Sequence, residues 1–250
     1  MTALPSYRIW CMHAGHFPDD RTGSSGTRTT LQVPSLVDAL YAEIRERILT
    51  GAVPAGTPVT EMDLATQYSV ARPTAKASME RLVQEGLLRR GSHKTARVPI
   101  LGRDDLLDLY HTRGLLEREV VMELAAKGLV PDQARKSLEQ LRDMSDPSVI
   151  EVVNLDMGFH SELVGAIRSP RLNRLYRWLA GEVRLSMAQL QANHLLSSSR
   201  IVSEHAAILA CIEQEDVEGA VNSVTKHIEQ ACARLLAHVE GVASAGSPPA

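Results

Sequence analysis

Residues 72–98 read RPTAKASMERLVQEGLLRRGSHKTARV, and this stretch decides the fold of the N-terminal part of the chain. Its first half has helical periodicity and stops at Gly86, a residue type that commonly ends helices. Two short runs, residues 87–90 and 96–98, then flank turn-forming residues and predict a β-hairpin. A helix followed directly by a hairpin is typical of the second half of a winged helix-turn-helix.

Two further helices are predicted upstream of this stretch. Ser35 is a favourable N-cap for a helix whose apolar residues recur every four positions as far as Ile48. Thr60 and Asp63 form a capping-box pattern that opens a second, shorter helix. Three helices and a hairpin in this order predict a winged helix-turn-helix over residues 33–100.

The rest of the chain has helical periodicity and no strand signal. Glycine and proline separate the helical segments, which predicts an all-helical antiparallel bundle over residues 103–240. Residues 1–32 and 241–250 are predicted to be flexible tails because they have no sustained period. The predicted fold class is therefore mainly α. The predicted bundle helices cover about residues 103–127, 131–144, 148–168, 171–194, 200–213 and 215–240.

Charge is distributed unevenly between the two predicted domains. Residues 31–102 contain nine Lys and Arg against seven Asp and Glu, whereas residues 103–240 contain 15 against 21. The positive charge is densest in residues 69–99, which hold seven basic and two acidic residues. A basic patch on a helix-turn-helix indicates a nucleic-acid-binding surface. The alternative is an ordinary solvated face.

The predicted DNA contacts follow from how a helix-turn-helix binds. The second helix of the motif enters the major groove with its N-terminal residues against the base edges. Here that helix places Arg72 and Lys76 at the bases and Thr74 at a thymine methyl group or a phosphate. In the wing, His93 and Lys94 are predicted to reach the adjacent minor groove or the DNA backbone. For each of these cations, the alternative is an ordinary exposed side chain.

The cysteines and the hydropathy pattern indicate a cytoplasmic protein. Cys11, Cys211 and Cys232 are scattered and odd in number, which does not suit a disulfide framework. No stretch has the 18 or so apolar residues that a membrane span needs, and the N-terminus lacks the apolar core of a signal peptide. We therefore expect no membrane partner.

One carboxylate and three histidines in the second domain are candidate metal ligands. Asp156 and His160 are separated by one helical turn, so both side chains can bind one ion. His205 and His227 complete the set if their helices pack against that face. Such ligands suit a divalent Zn, Ni, Mn, Co or Fe ion. The alternative is that isolated histidines are exposed or hydrogen-bonded in the core.

Motifs in both halves of the chain resemble one protein family. The predicted winged helix-turn-helix, residues 33–100, is called the head below, and the predicted helical bundle, residues 103–240, is called the body. The head resembles that of GntR-family bacterial transcription regulators in IRERILTG (44–51), PAGT (54–57), VARPT (70–74) and LVQEGLL (82–88). The body resembles the FCD effector domain of the FadR-like subgroup in LYHTRGLLE (109–117), DMGFH (156–160), EHAAI (204–208) and KHIE (226–229).

The resemblance implies roles for particular residues. Metal-binding members use an aspartate, the histidine four residues later and two further histidines, which correspond here to Asp156, His160, His205 and His227. An arginine on the first helix of the body, Arg113 here, commonly lies near a carboxylate effector in similar proteins. A salt bridge from Arg113 to a glutamate one turn later is the structural alternative. The resemblance also implies a homodimer.

This chain departs from the family pattern at several positions. Ala71 stands where Ser or Thr usually caps the recognition helix, and such a cap typically contributes about 1 kcal/mol. Pro73 can stiffen the first turn in compensation. Met62 and Lys76 replace arginines that are usual in relatives, and Thr95 stands near a frequent wing glycine. We therefore expect an operator sequence that cannot be inferred from relatives.

Taken together, these features predict a DNA-binding transcription regulator that is not an enzyme. It would bind double-stranded operator DNA, and a small carboxylate effector at the metal site would change its affinity for that DNA. Two alternatives come from other classes. One is a metal-dependent hydrolase-like enzyme, and the other is a regulator whose second domain only dimerises.

Overall fold

The computed structural model describes residues 35–91, 95–189 and 197–245, with side chains as far as Glu240. These residues form a mainly α fold, as the sequence predicts. Its elements in chain order are α1 (Leu36–Leu49), β1 (Pro58–Val59), α2 (Glu61–Gln67), α3 (Arg72–Gln84), β2 (Arg89–Arg90), β3 (Ala96–Arg97), α4 (Arg103–Ala125), α5 (Asp132–Asp143), α6 (Val149–Ala166), α7 (Pro170–Gln189), α8 (Ser198–Glu213) and α9 (Val217–Ala245).

The head consists of α1 to α3 and a small antiparallel sheet of order β1-β3-β2. The predicted hairpin is β2 and β3, in which Arg89 lies opposite Arg97. Strand β1, which pairs Pro58 with Arg97 on the other side, was not predicted. A strand of two residues is too short to show an alternating pattern, so its pairing depends on tertiary contacts.

Local capping explains where the head helices begin. Ser35 Oγ accepts from Asp38 N at 3.1 Å, and the Asp38 carboxylate accepts from Ser35 N at 3.2 Å, a reciprocal capping box. Thr60 Oγ1 accepts from Asp63 N in the same way at the start of α2. Ala71 at the start of α3 makes no side-chain cap, as the sequence predicts.

Six helices, α4 to α9, form the described part of the body, as the sequence predicts. Helix α4 packs along α9 and also contacts α6, α7 and α8, and the main apolar core of the body runs between them. Helix α9 continues to Ala245, five residues beyond its predicted end at 240, because residues 242–245 contain no residue that stops a helix. The predicted tail at 1–32 lies outside the described residues. None of the described helices is long and apolar enough to cross a membrane.

Helix α7 belongs to both cores. Tyr176 lies in the core of the body, whereas Leu185, further along the same helix, lies in the core of the head. The backbone of α7 at Gly181 lies so close to the backbone of Glu85 in the head that a Cβ at Gly181 would overlap the carbonyl oxygen of Glu85. The guanidinium of Arg89 also donates to Glu182 Oε1 at 2.9 Å. One helix thus connects the interior of the body with the core of the head.

Candidate metal centre and DNA-reading surface

The four predicted metal ligands lie together in the interior of the body. Asp156 and His160 come from α6, His205 from α8 and His227 from α9, and each residue is at most 4 % exposed. Their potential ligand atoms all lie within 4.8 Å of one another. His160 Nε2 is 3.1 Å from His227 Nε2. Asp156 Oδ1 is 3.2 Å from His205 Nε2 and 3.9 Å from His160 Nε2.

The two shortest of these separations, 3.1 and 3.2 Å, match neighbouring ligand atoms around one cation. Bonds of about 2.1 Å place neighbouring ligand atoms roughly 3.0 to 3.4 Å apart in octahedral or tetrahedral geometry. Asp156 Oδ1 and His205 Nε2 are also buried without a hydrogen-bond partner among the described residues. Buried polar atoms are rarely left unsatisfied. A cation at the centre of the four side chains would satisfy both atoms.

Two carboxylates stand behind the histidines. Oε2 of Glu117, on α4, lies 2.6 Å from Nδ1 of His160, and Oε2 of Glu204, on α8, is hydrogen-bonded to Nδ1 of His227 at 2.7 Å. A carboxylate at Nδ1 holds the proton on that nitrogen and leaves the Nε2 lone pair free for a metal. Phe159 stacks on His205 with ring centroids 3.8 Å apart and fixes that ring too.

The sequence did not predict the positions of Glu117 and Glu204 behind the ligands. Glu117 was identified only as a salt-bridge partner for Arg113. Glu204 precedes a predicted ligand, but neighbours in a helix point in different directions, and its partner His227 lies 23 residues away. Only the packing of α8 against α9 brings this pair together.

Electrostatics favours the protonation states that a metal requires. Burial opposes ionisation of Asp156, but its interactions with His205 and the other two histidines outweigh burial and hold the pKa of this carboxyl well below its usual range. Burial lowers the pKa of each of the three histidines. An ionised carboxylate and neutral imidazoles are the forms that bind divalent metals.

Arg113 is fully buried beside this centre. Its Nε donates to Glu117 Oε1 at 2.7 Å, and the Tyr176 hydroxyl donates to the same oxygen at 2.6 Å. The salt bridge that the sequence left as an alternative is therefore present. Nη1 and Nη2 of Arg113 have no hydrogen-bond partner among the described residues. Arg113 thus forms the salt bridge through Nε, while the N–H groups of Nη1 and Nη2 can still donate to a bound molecule.

The predicted base-reading residues lie at the start of α3. Arg72 and Lys76 are exposed, one turn apart, and line one surface hollow together with Arg90 of the wing. Lys76 Nζ lies 3.9 Å from Glu80, whereas Arg72 has no ion pair with any residue that the structure describes. Thr74 is half-buried. The two wing residues His93 and Lys94 lie outside the described residues.

Comparisons with known families agree with this architecture. A family model described as "Bacterial regulatory proteins, gntR family" matches residues 36–98, and one described as "FCD domain" matches residues 108–230. Together the two matches cover about three quarters of the chain. The first match covers the winged helix-turn-helix, and the second covers most of the helical body, including all four candidate ligands.

Individual relatives share this arrangement along most of their length. The chain is 27% identical to the uncharacterized HTH-type transcriptional regulator BphR of Paraburkholderia xenovorans, over 79% of this chain and 84% of BphR. It is 27% identical to the probable D-xylose utilization operon transcriptional repressor of Paenarthrobacter nicotinovorans, over 84% of this chain and 90% of the relative.

Among solved structures, McbR/YncC of E. coli has the same fold. The TM-score is 0.64 at 20% identity, and the match covers 81% of this chain and 98% of McbR/YncC. The matched families and relatives are transcription regulators and not enzymes, which excludes the hydrolase-like alternative. The chain belongs to the GntR family of bacterial transcription regulators, within the FadR-like group that carries an FCD domain.

Proposed function

We propose that this DNA-binding regulator holds a divalent metal ion in its body and that a small carboxylate effector at this metal sets its affinity for operator DNA. The single observation that carries the proposal is the buried convergence of three Nε2 atoms and one carboxylate oxygen. Two of these atoms have no other partner in the described part of the chain. Nitrogen and oxygen ligands suit Zn, Ni, Mn, Co or Fe.

A carboxylate effector is supported by the chemistry around the metal site. Four protein ligands leave positions open in an octahedral shell, and a metal there would supply Lewis acidity toward an effector oxygen. The two unpartnered Nη groups of Arg113 offer the forked donor geometry that suits a carboxylate. Burial opposes the charged form of Arg113, but Glu117 and other nearby acidic groups outweigh burial and keep its pKa above the usual value.

The proposed operator contacts are Arg72, Thr74 and Lys76 of the recognition helix and His93 and Lys94 of the wing. The exposure of Arg72 and Lys76 on one surface supports the first group. We also propose a homodimer, because a two-fold dimer reads the two halves of a near-palindromic operator. The head would comprise residues 33–100 and the body residues 103–240. The repressor name of one relative favours repression as the outcome.

Helix α7 supports a physical route from effector to DNA. Its Tyr176 donates to Glu117, which contacts the ligand His160. Its Gly181 and Glu182 contact the head through Glu85 and Arg89. An effector that prefers one position of α7 would therefore also prefer one arrangement of the head, and would shift operator affinity.

Elemental analysis of matched histidine variants tests the metal site. We expect about one metal ion per chain in the wild type and in His111→Ala, because His111 is exposed on α4. His160→Ala removes one of four ligands and should lose most of the metal. If His160→Ala and His111→Ala hold equal amounts, the assignment of the site is wrong.

Selection of DNA from a random pool, with and without metal, tests the regulatory part. We expect a two-fold symmetric sequence whose affinity for the protein changes with metal and carboxylates. A body that only dimerises would give the same symmetric sequence with no such change.

A further inference from the structure

A second cavity lies where the head meets the body, apart from the metal centre. It has a volume of about 580 Å³, is open to solvent on one side, and is lined by the end of α1, the first turns of α6 and the last turns of α7. None of the four candidate metal ligands lines it. Its walls are mainly apolar, with a few polar groups. The side chains that matter here are Leu49, Thr50, Val149, Asn154, Arg184 and Met187.

Arg184 is the charged residue of this cavity. Its side chain is largely buried, and its Nε is shielded from solvent with no hydrogen-bond partner among the described residues. Within the described part of the chain, Arg184 forms no ion pair. The nearby carboxylate of Glu85 is already bound by Arg45 at 2.9 Å and by the Tyr41 hydroxyl. Burial and then the charge of Arg45 lower the pKa of Arg184.

An unpaired cation in such surroundings is unfavourable. Charges removed from water are usually paired in proteins, because losing hydration disfavours the charged form. A metal ion bound in the body would not supply a partner for Arg184, because Arg184 is itself a cation and does not line the metal centre. Among the described residues no carboxylate pairs with Arg184, so its buried Nε is available to an anion from outside the chain.

The first turn of α6 adds a second favourable feature for an anion. Helix α6 has 18 residues, and its N-terminal amides carry partial positive charge. The backbone amide and the hydroxyl of Ser148 are not available to an anion, because both donate to the Glu151 carboxylate. The amides of Val149 and Ile150 follow, and they have no acceptor within the helix. Both residues line the cavity.

We propose that this cavity binds a small organic anion with an apolar body, such as an aromatic or short aliphatic monocarboxylate, whose carboxylate pairs with Arg184. The volume lies within the range of about 300 to 1,000 Å³ that is usual for ligand sites. This site is separate from the effector position at the metal and does not depend on it. Because the ligand would touch α1 of the head and both α6 and α7 of the body, its binding would favour one arrangement of the two.

Titration with fluorinated probes tests the proposal. Fluorine NMR of the full chain would follow 4-fluorobenzoate and its neutral analogue 4-fluorobenzyl alcohol, before and after treatment with a chelator. We expect saturable binding of the benzoate in both conditions, and binding of the alcohol at least about tenfold weaker, since charge-assisted bonds contribute 1.5 to 3 kcal/mol. Persistence after chelation separates this site from the metal centre.

Two arginine variants on α7 provide the matched comparison. In chelator-treated protein, where no carboxylate can bind at a metal, Arg184→Met should weaken 4-fluorobenzoate binding at least about tenfold. Arg177→Met removes an exposed guanidinium two turns earlier on the same helix and should leave binding unchanged. Equal affinity in Arg184→Met and wild type, or no saturable binding by the wild type, would overturn the proposal.

Thermal unfolding without ligand provides an independent readout. Arg184→Met should raise Tm by about 2 to 4 °C, because it removes an unpaired and largely buried charge. A purely structural arginine with partners in the chain would give the opposite sign, and a lower Tm would therefore contradict the proposal. Neither result alters the metal content or the operator selection, so failure here is distinguishable from failure of the proposed function.

Discussion

The head and the body of this regulator hold their charges in opposite ways. In the head, Arg72 and Lys76 are exposed and have weak ion pairs or none within the described residues. In the body, Asp156, His160 and Glu117 are buried and contact one another. Exposed, unpaired cations suit an external polyanion such as DNA. Buried ligand atoms facing a common centre suit an internal cation. The head therefore presents charges to a partner outside the protein, whereas the body surrounds a site for a cation inside it.

The largest effect should come from breaking the buried network. Glu117→Ala leaves Arg113 and His160 without their shared carboxylate, so we expect the free energy of unfolding to fall by about 3 to 5 kcal/mol. Glu119→Ala, at an exposed position on the same helix, should change it by less than about 0.5 kcal/mol. Urea unfolding of the two variants measures both values. Similar losses in both would mean that the network is not a special feature of the body.

A smaller effect is expected from the second supporting carboxylate. Glu204→Ala removes the hydrogen bond that orients His227, so metal affinity should fall by about 10- to 100-fold. Glu204→Gln keeps an acceptor oxygen and should recover part of the loss. Competition with a chromophoric chelator measures the affinities, with exposed Glu218→Ala as the control on α9. Unchanged affinity in Glu204→Ala would show that His227 needs no such support.

The smallest effect concerns the uncapped recognition helix of the head. Ala71→Ser supplies a hydroxyl that can accept from Thr74 N, since Pro73 has no amide hydrogen. We expect the free energy of unfolding to rise by about 0.5 to 1 kcal/mol. The gain is modest because Thr74 N already donates to Ala71 O at 2.9 Å. Metal content should stay the same, and a change in it would break the separation between head and body.

The sequence was most informative where structure is local. Ser35 and Asp38 are three residues apart, so their capping box and the start of α1 could be predicted. The i,i+4 pair of Asp156 and His160 was visible for the same reason. The other two candidates, His205 and His227, depended on the condition that their helices pack against that face, which spacing alone does not establish and which only the family resemblance supported.

Features that depend on distant contacts were not predictable. Strand β1 exists only because Val59 pairs with Ala96. The position of Glu204 behind His227 requires α8 to pack on α9. The unpaired state of Arg184 depends on Glu85, which is 99 residues away and already bound by Arg45. No local pattern in the sequence indicates that Glu85 pairs with Arg45 and not with Arg184.

Operator affinity as a function of metal content tests the central claim most directly. Fluorescence anisotropy at fixed salt concentration would compare metal-loaded, chelated and metal-restored protein on the selected operator, for the wild type and for His160→Ala. We expect chelation to change the wild-type Kd by about fivefold or more, restored metal to reverse the change, and His160→Ala not to respond. A wild-type protein that binds one metal ion per chain yet has the same operator Kd in all three states would contradict it.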